Sequence, residues 1–72
     1  MTLAIATHDE AGHEYLLRQE ADGMLSRTDH PINALLWSDR LDVLRWLDSL
    51  PEPTRSGLVN RKAWLVRVEI PF

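Results

Sequence analysis

The densest group of side chains able to do chemistry is His8-Asp9-Glu10, followed closely by His13-Glu14. Imidazoles and carboxylates are the donors that hold a divalent ion. The spacing argues against a helical zinc protease, whose histidines stand four apart on one helix face, because these stand five apart and flank Gly12 in a turn. A solvated hairpin loop accounts for the same residues without an ion, so no metal and no cofactor are expected. Ser26, Ser38, Ser49 and Ser56, with His8, His13 and His30, are the raw material for nucleophilic catalysis. None lies in a G-x-S-x-G setting, and there is no glycine-rich phosphate loop. Ser38 reads as a helix cap, and His30, placed before Pro31, reads as a surface loop residue. So short a chain also has little room for the apolar pocket of roughly 300 Å³ or more that enzymes favour. No enzyme is expected.

Binding chemistry is better represented. Trp37 and Trp46 bring large rigid rings of the kind enriched at protein interfaces, although both rings can equally complete a small core. Arg55, Arg61 and Lys62, with Arg67 and Trp64 nearby, are the ingredients of a nucleic-acid platform. The charge balance opposes that reading, since the chain is net −3. Residues 1–36 carry six acids against two bases, and residues 37–72 carry five against six. No long-range basic field exists, and nucleic acid is disfavoured as a partner.

Composition narrows the setting. Absence of cysteine excludes disulfides and thiolate zinc sites and fits a cytoplasmic protein. MTLAIATHDE has no basic start and too short an apolar run for a signal peptide, and no stretch approaches the roughly 20 apolar residues of a membrane span. Seven arginines against one lysine, with abundant Leu, Ala and Asp, is usage common in GC-rich bacteria and their phages.

The elements that must position these residues follow from periodicity. Thr2–Thr7 and Glu14–Glu20 read as strands joined by a turn at Gly12, with Tyr15 and Leu17 inward and Leu16, Arg18 and Glu20 outward. Asp22-Gly23 is a hairpin dipeptide, so Met24–Arg27 is a short third-strand candidate. Residues 28–33 read as loop, and Ala34–Trp37 as a brief strand leading to a helix over Asp39–Leu50, capped by Ser38 and stopped by Pro51. On a helical wheel Val43, Leu44, Leu47 and Leu50 fall together, with Leu41 and Trp46 at the two flanks. The apolar arc is then about twice the 100° stripe that a surface helix needs. Pro51–Lys62, with two prolines and a glycine, reads as a flexible connection. Ala63–Ile70 reads as the last strand, with Trp64, Val66, Val68 and Ile70 toward the helix and Leu65, Arg67 and Glu69 away from it. Left at an open edge, so β-prone a strand is an aggregation hazard, and it is expected to be paired on both sides or sheltered by a partner.

Assembled, residues 1–72 make one small α+β domain in β-β-β-α-β order. A mixed or antiparallel sheet of three or four strands carries one helix on one face. Residues 34–37, the helix and the last strand are candidates for a parallel β-α-β crossover. The expected function is that of a non-enzymatic protein-interaction module binding itself as a homodimer or a larger protein partner. Its candidate contact residues are Leu41, Trp46 and Trp37 on the helix side, and Leu16 and Leu65 on the open sheet face. The stretch WSDRLDVLRWLDSLP, residues 37–51, resembles a helix segment in some small anti-CRISPR proteins. The resemblance covers about a fifth of the chain and carries over no functional residue. What it implies is an inhibitor of host machinery encoded by a phage or mobile element. Its acidic surface, with Glu10, Glu14 and Asp22, would then occupy a site meant for nucleic acid.

Overall fold

The structure, a computed structural model, describes residues 2–60 and 62–69. Arg61 of the basic group and Ile70 of the inward row lie outside the described residues. Thr2–His8 forms strand β1 and Glu14–Gln19 strand β2, an antiparallel hairpin with Thr7 opposite Tyr15. Its loop turns through Gly12 at φ +85°, a left-handed backbone that most side chains resist. The next turn passes through Gly23 at φ +89°, held by the Asp22 carboxylate, which accepts the Met24 N–H at 2.9 Å. Strand β3, Leu25–Thr28, then pairs antiparallel with β2.

The last strand, β4 (Trp64–Val68), pairs antiparallel with β1, so the sheet order is β3-β2-β1-β4. The α+β class and the strand count agree with the sequence reading, and the sheet is wholly antiparallel. Trp37 exchanges both backbone hydrogen bonds with Leu3, at 2.8 and 2.9 Å, and the Leu35 N–H donates to the Leu17 carbonyl at 2.9 Å. Residues 35–37 thus fill the gap that opens where β2 turns away from β1. The Leu3 N–H and C=O point to Trp37, so β4 lies on the other side of β1. The direct parallel pairing expected between segment 34–37 and the last strand is therefore corrected. The two run parallel with β1 between them.

Helix α1 spans Arg40–Ser49, and its cap is Asp39 rather than Ser38. The Asp39 carboxylate accepts the Leu41 N–H at 2.8 Å. A second helix, α2 (Glu52–Asn60), occupies the segment read as a flexible connection. Its prolines do not break it. The Pro51 carbonyl accepts from Thr54 and Arg55, and Pro53 sits in the first turn, where an N–H has no intrahelical partner to lose. Leu58 anchors this helix in the core. The chain leaves it through a Schellman turn, with Lys62 N–H to the Val59 carbonyl and Ala63 N–H to the Leu58 carbonyl.

Both helices cover one face of the sheet, where Leu3, Ile5, Leu17, Val43 and Leu58 are buried together. Register decides the β4 faces. Ile5 stands opposite Leu65, Ala4 opposite Val66 and Ala6 opposite Trp64. Residues directly opposite share a face, so Leu65 lies on the helix side and Trp64, Val66 and Val68 on the other, the reverse of the alternation expected. The charges misled the reading: Arg67 is on the helix-side row, but on an edge strand its long side chain reaches water around the helices.

Lys62 adopts φ +53°, the left-handed region that glycine occupies without a Cβ penalty. Lys62→Gly should raise stability by about 0.5–1 kcal/mol, seen as a melting midpoint several degrees higher. An unchanged or lowered midpoint would contradict the Schellman assignment.

Candidate interaction surface

On the sheet face away from the helices, Ala4 and Ala6 are completely buried although neither helix lies over them. Their cover is lateral. Leu16 stands opposite Ala6 on β2, Val66 and Trp64 stand opposite Ala4 and Ala6 on β4, and Ala34, Leu36 and Val68 complete the cluster. The larger side chains of this group are themselves half-buried, apart from Leu16, which is buried. The result is an apolar strip along β1 and β4 with an alanine floor and, among the described residues, no second layer. The His8 ring extends it, with its centroid 4.6 Å from that of Trp64. On the β2–β3 half of the same face the row turns polar, since Arg18 pairs with Ser26 and Leu16 with Thr28.

The sequence-derived contact residues scatter over this frame. Leu16 belongs to the strip, whereas Leu65 is on the helix side, half-buried against the main core. Trp37 and Trp46 are half-buried and pack on each other with ring centroids 5.2 Å apart, at the margin of that core. This contact turns α1 so that Val43, Trp46, Leu47 and Leu50 form its inward stripe, with spacings of three, four and seven. Leu44, expected inward, is consequently 51% exposed, beside Leu41 at 58%. Glu10 and Glu14 are exposed at the β1–β2 end of the sheet, and Asp22 at the opposite end, in the β2–β3 turn. These three acids form no common patch.

The histidine–carboxylate group also separates. His8 belongs to the apolar-strip side of the sheet. Its counterpart His13 stacks on Tyr15 at 4.3 Å and places Nε2 3.0 Å from Asp29 Oδ1. Asp9 is occupied with its own loop, accepting the Ala11 and His13 N–H groups at 2.9 Å each. Its carboxyl is held below the ordinary aspartate value. The His13 N–H is the largest cause, partial desolvation opposes it, and the Ala11 N–H and the charges of His13 and Arg27 add to the lowering. Among the described residues no three His, Asp or Glu side chains converge as metal ligands, and no helix is long and apolar enough to cross a membrane.

On the helix side, α1, α2 and the β1–β4 pair enclose an open cleft of about 250 Å³, lined by Val43, Leu47, Leu58, Val59, Leu65 and Arg55 among others. This is smaller than the roughly 300–1,000 Å³ of typical ligand pockets. Arg55 contacts Glu52 at 3.3 Å one turn away. Sequence reasoning sets Ala4, Ala6 and Leu16 on this open face but turns Trp64, Val66 and Val68 to the helix side. The available signal that the face is itself packed is that Leu3-Ala4-Ile5-Ala6 is apolar on both alternating rows. No protein-family model matches this chain, and no curated protein or solved structure matches it either.

Two outcomes follow from this geometry. Trp46→Ala removes a ring packed on Trp37 and the core, and should cost about 2–4 kcal/mol in a denaturant titration. A loss under about 0.5 kcal/mol would show that the ring is not a core element. Asp9 has a lowered folded-state pKa, so its contribution is complete above the unfolded value of 3.8 and fades as pH falls through the depressed one. Melting midpoints of Asp9→Asn should therefore lie below wild type near neutrality and converge with it in acid. A pH-independent gap would remove the carboxylate charge from the explanation.

Proposed function

We propose that this chain is a non-enzymatic protein-interaction module that docks through the helix-free face of its sheet. The single observation that carries this reading is the half-buried apolar strip of Leu36, Trp64, Val66 and Val68 beside the buried Ala4, Ala6 and Leu16, with no second layer among the described residues. An antiparallel sheet that meets only water on one face normally alternates polar residues outward, and β1 and β4 do not. A cluster of aromatic and branched side chains with a polar margin is the composition of an interface core. Trp64 supplies a rigid ring at the His8 end of the strip, of the type that dominates binding energy when water is excluded around it.

The scattering of His8, His13 and Asp9 into separate local contacts supports a non-catalytic role. Absence of cysteine suits action in the cytoplasm. A nucleic-acid platform is less well served. Trp64 sits on the apolar strip, Arg55 is engaged with Glu52, and the chain is acidic overall.

The test is a pair of charge insertions on the two exposed apolar surfaces, read out by tagged capture from nuclease-treated lysate and by melting. Val66→Lys should abolish association, while its flexible stem keeps the loss of stability modest, about 1 kcal/mol or less. Leu41→Asp on α1 should leave association intact. Retained association in Val66→Lys together with its loss in Leu41→Asp would move the interface to the helix and reject this reading.

A further inference from the structure

We infer that β4 is a pairing edge and that its partner is a second copy of the chain, joined in antiparallel strand-to-strand pairing. This edge borders the apolar strip and is a separate surface from it.

Backbone direction comes first. The Leu3 N–H and C=O both turn to Trp37, so Leu3 and Arg67 form a pair without mutual hydrogen bonds. Alternation then directs the Trp64, Val66 and Val68 amides to β1, and the N–H and C=O groups of Leu65 and Arg67 outward, to an edge that no strand among the described residues pairs. The sheet's other edge is blunted, because β3 has only four residues and carries Ser26 and Arg27. Edge β4 is Trp-Leu-Val-Arg-Val, and Arg67 is its sole charge. An apolar edge with unpaired backbone groups is a template for another strand.

The strand matches itself. Turned about a two-fold axis at Val66, each Leu65 faces the partner's Arg67 across four mutual backbone hydrogen bonds. Each Trp64 faces the partner's Val68, an aromatic–β-branched pair of the favourable kind. The charges agree with this direction and with no parallel one: Lys62 precedes the strand and Glu69 follows it, both exposed. Antiparallel pairing sets each Glu69 opposite the partner's Ala63, next to the partner's Lys62. Pairing makes one eight-stranded sheet and joins the two apolar strips into a continuous band.

Sedimentation equilibrium of the full chain and its variants tests this. Wild type should sediment at twice 8.3 kDa. Arg67→Pro removes an N–H that points away from β1, so it spares the β1–β4 ladder while deleting two intermolecular bonds per dimer. It should raise the dimer dissociation constant about thirtyfold or more, and Arg67→Ala should raise it far less. Circular dichroism checks that the proline variant is folded. Should it unfold, Glu69→Lys should weaken the dimer several-fold, and the double variant Lys62→Glu/Glu69→Lys should restore it. A wild type that stays monomeric at millimolar concentration overturns the inference, as does a dimer indifferent to both Arg67→Pro and Glu69→Lys. A monomer that still captures one stoichiometric protein, lost on Val66→Lys, overturns self-pairing and leaves the sheet-face reading standing. A monomer whose captured protein survives Val66→Lys overturns both.

Discussion

The packing of β1 constrains everything else in this molecule. It is paired along both edges, by β2 and Trp37 on one side and by β4 on the other, and so joins the β2–β3 hairpin to the last strand. Its alternation of Leu3 and Ile5 with Ala4 and Ala6 sets large residues under the helices and small ones on the opposite face. Because side chains alternate with a period of two, a slip of β1 by one residue against its neighbours would turn Leu3 and Ile5 to the opposite face and bring the short alanines under α1 and α2. The core would then lose Leu3 and Ile5 together. In a domain this small, where folding hides only about 60% of the unfolded surface, no other cluster could replace them.

The helix layer answers to the same constraint. The inward stripe of α1 is Val43, Trp46, Leu47 and Leu50, and its rotation follows from Trp46 meeting Trp37, which is itself held by the hydrogen bonds to Leu3. Leu58 brings α2 to the same cluster. One backbone bridge at Leu3 therefore connects the sheet register to the seating of the first helix. The strip on the other face is the counterpart of this arrangement, since the two alanines leave a floor too shallow to receive a helix of its own yet fully roofed by their neighbours.

Much of this was legible in the sequence, for identifiable reasons. The strands expected at residues 2–7 and 14–20, from a short apolar run and from alternation, match the observed 2–8 and 14–19 to within one residue. The turn glycines follow from positive-φ chemistry, and α1 follows from its periodicity and Pro51. The second helix was hidden because Pro51 and Pro53 were read as breakers, when both occupy the helix start, where they are tolerated. The faces of β4 were inverted because Arg67 and Glu69 were taken to mark solvent, a rule that fails on an edge strand where long side chains escape sideways. Of the candidate contact residues, Leu16 alone falls on the strip. Trp64, Val66 and Val68 were consigned to the buried core by the same inversion. The acids Glu10, Glu14 and Asp22 lie close in the chain, but successive hairpin turns fall at opposite ends of a sheet and separate them.

The position of β4 also bears on how the chain reaches its structure. The meander β1–β2–β3 is assembled from neighbours in sequence, whereas the β1–β4 ladder closes a loop of more than fifty residues between Ala6 and Trp64. Non-local pairing of that kind is slow, because the entropy of loop closure must be met before the contacts form. During vectorial synthesis β4 emerges after every other described element. Until it docks, one edge of β1, with the apolar run Leu3-Ala4-Ile5-Ala6, stands open to any strand within reach. An inner strand of the finished sheet is thus the exposed edge of the nascent one, and the time it spends unpaired is set by the arrival of residues 64–68.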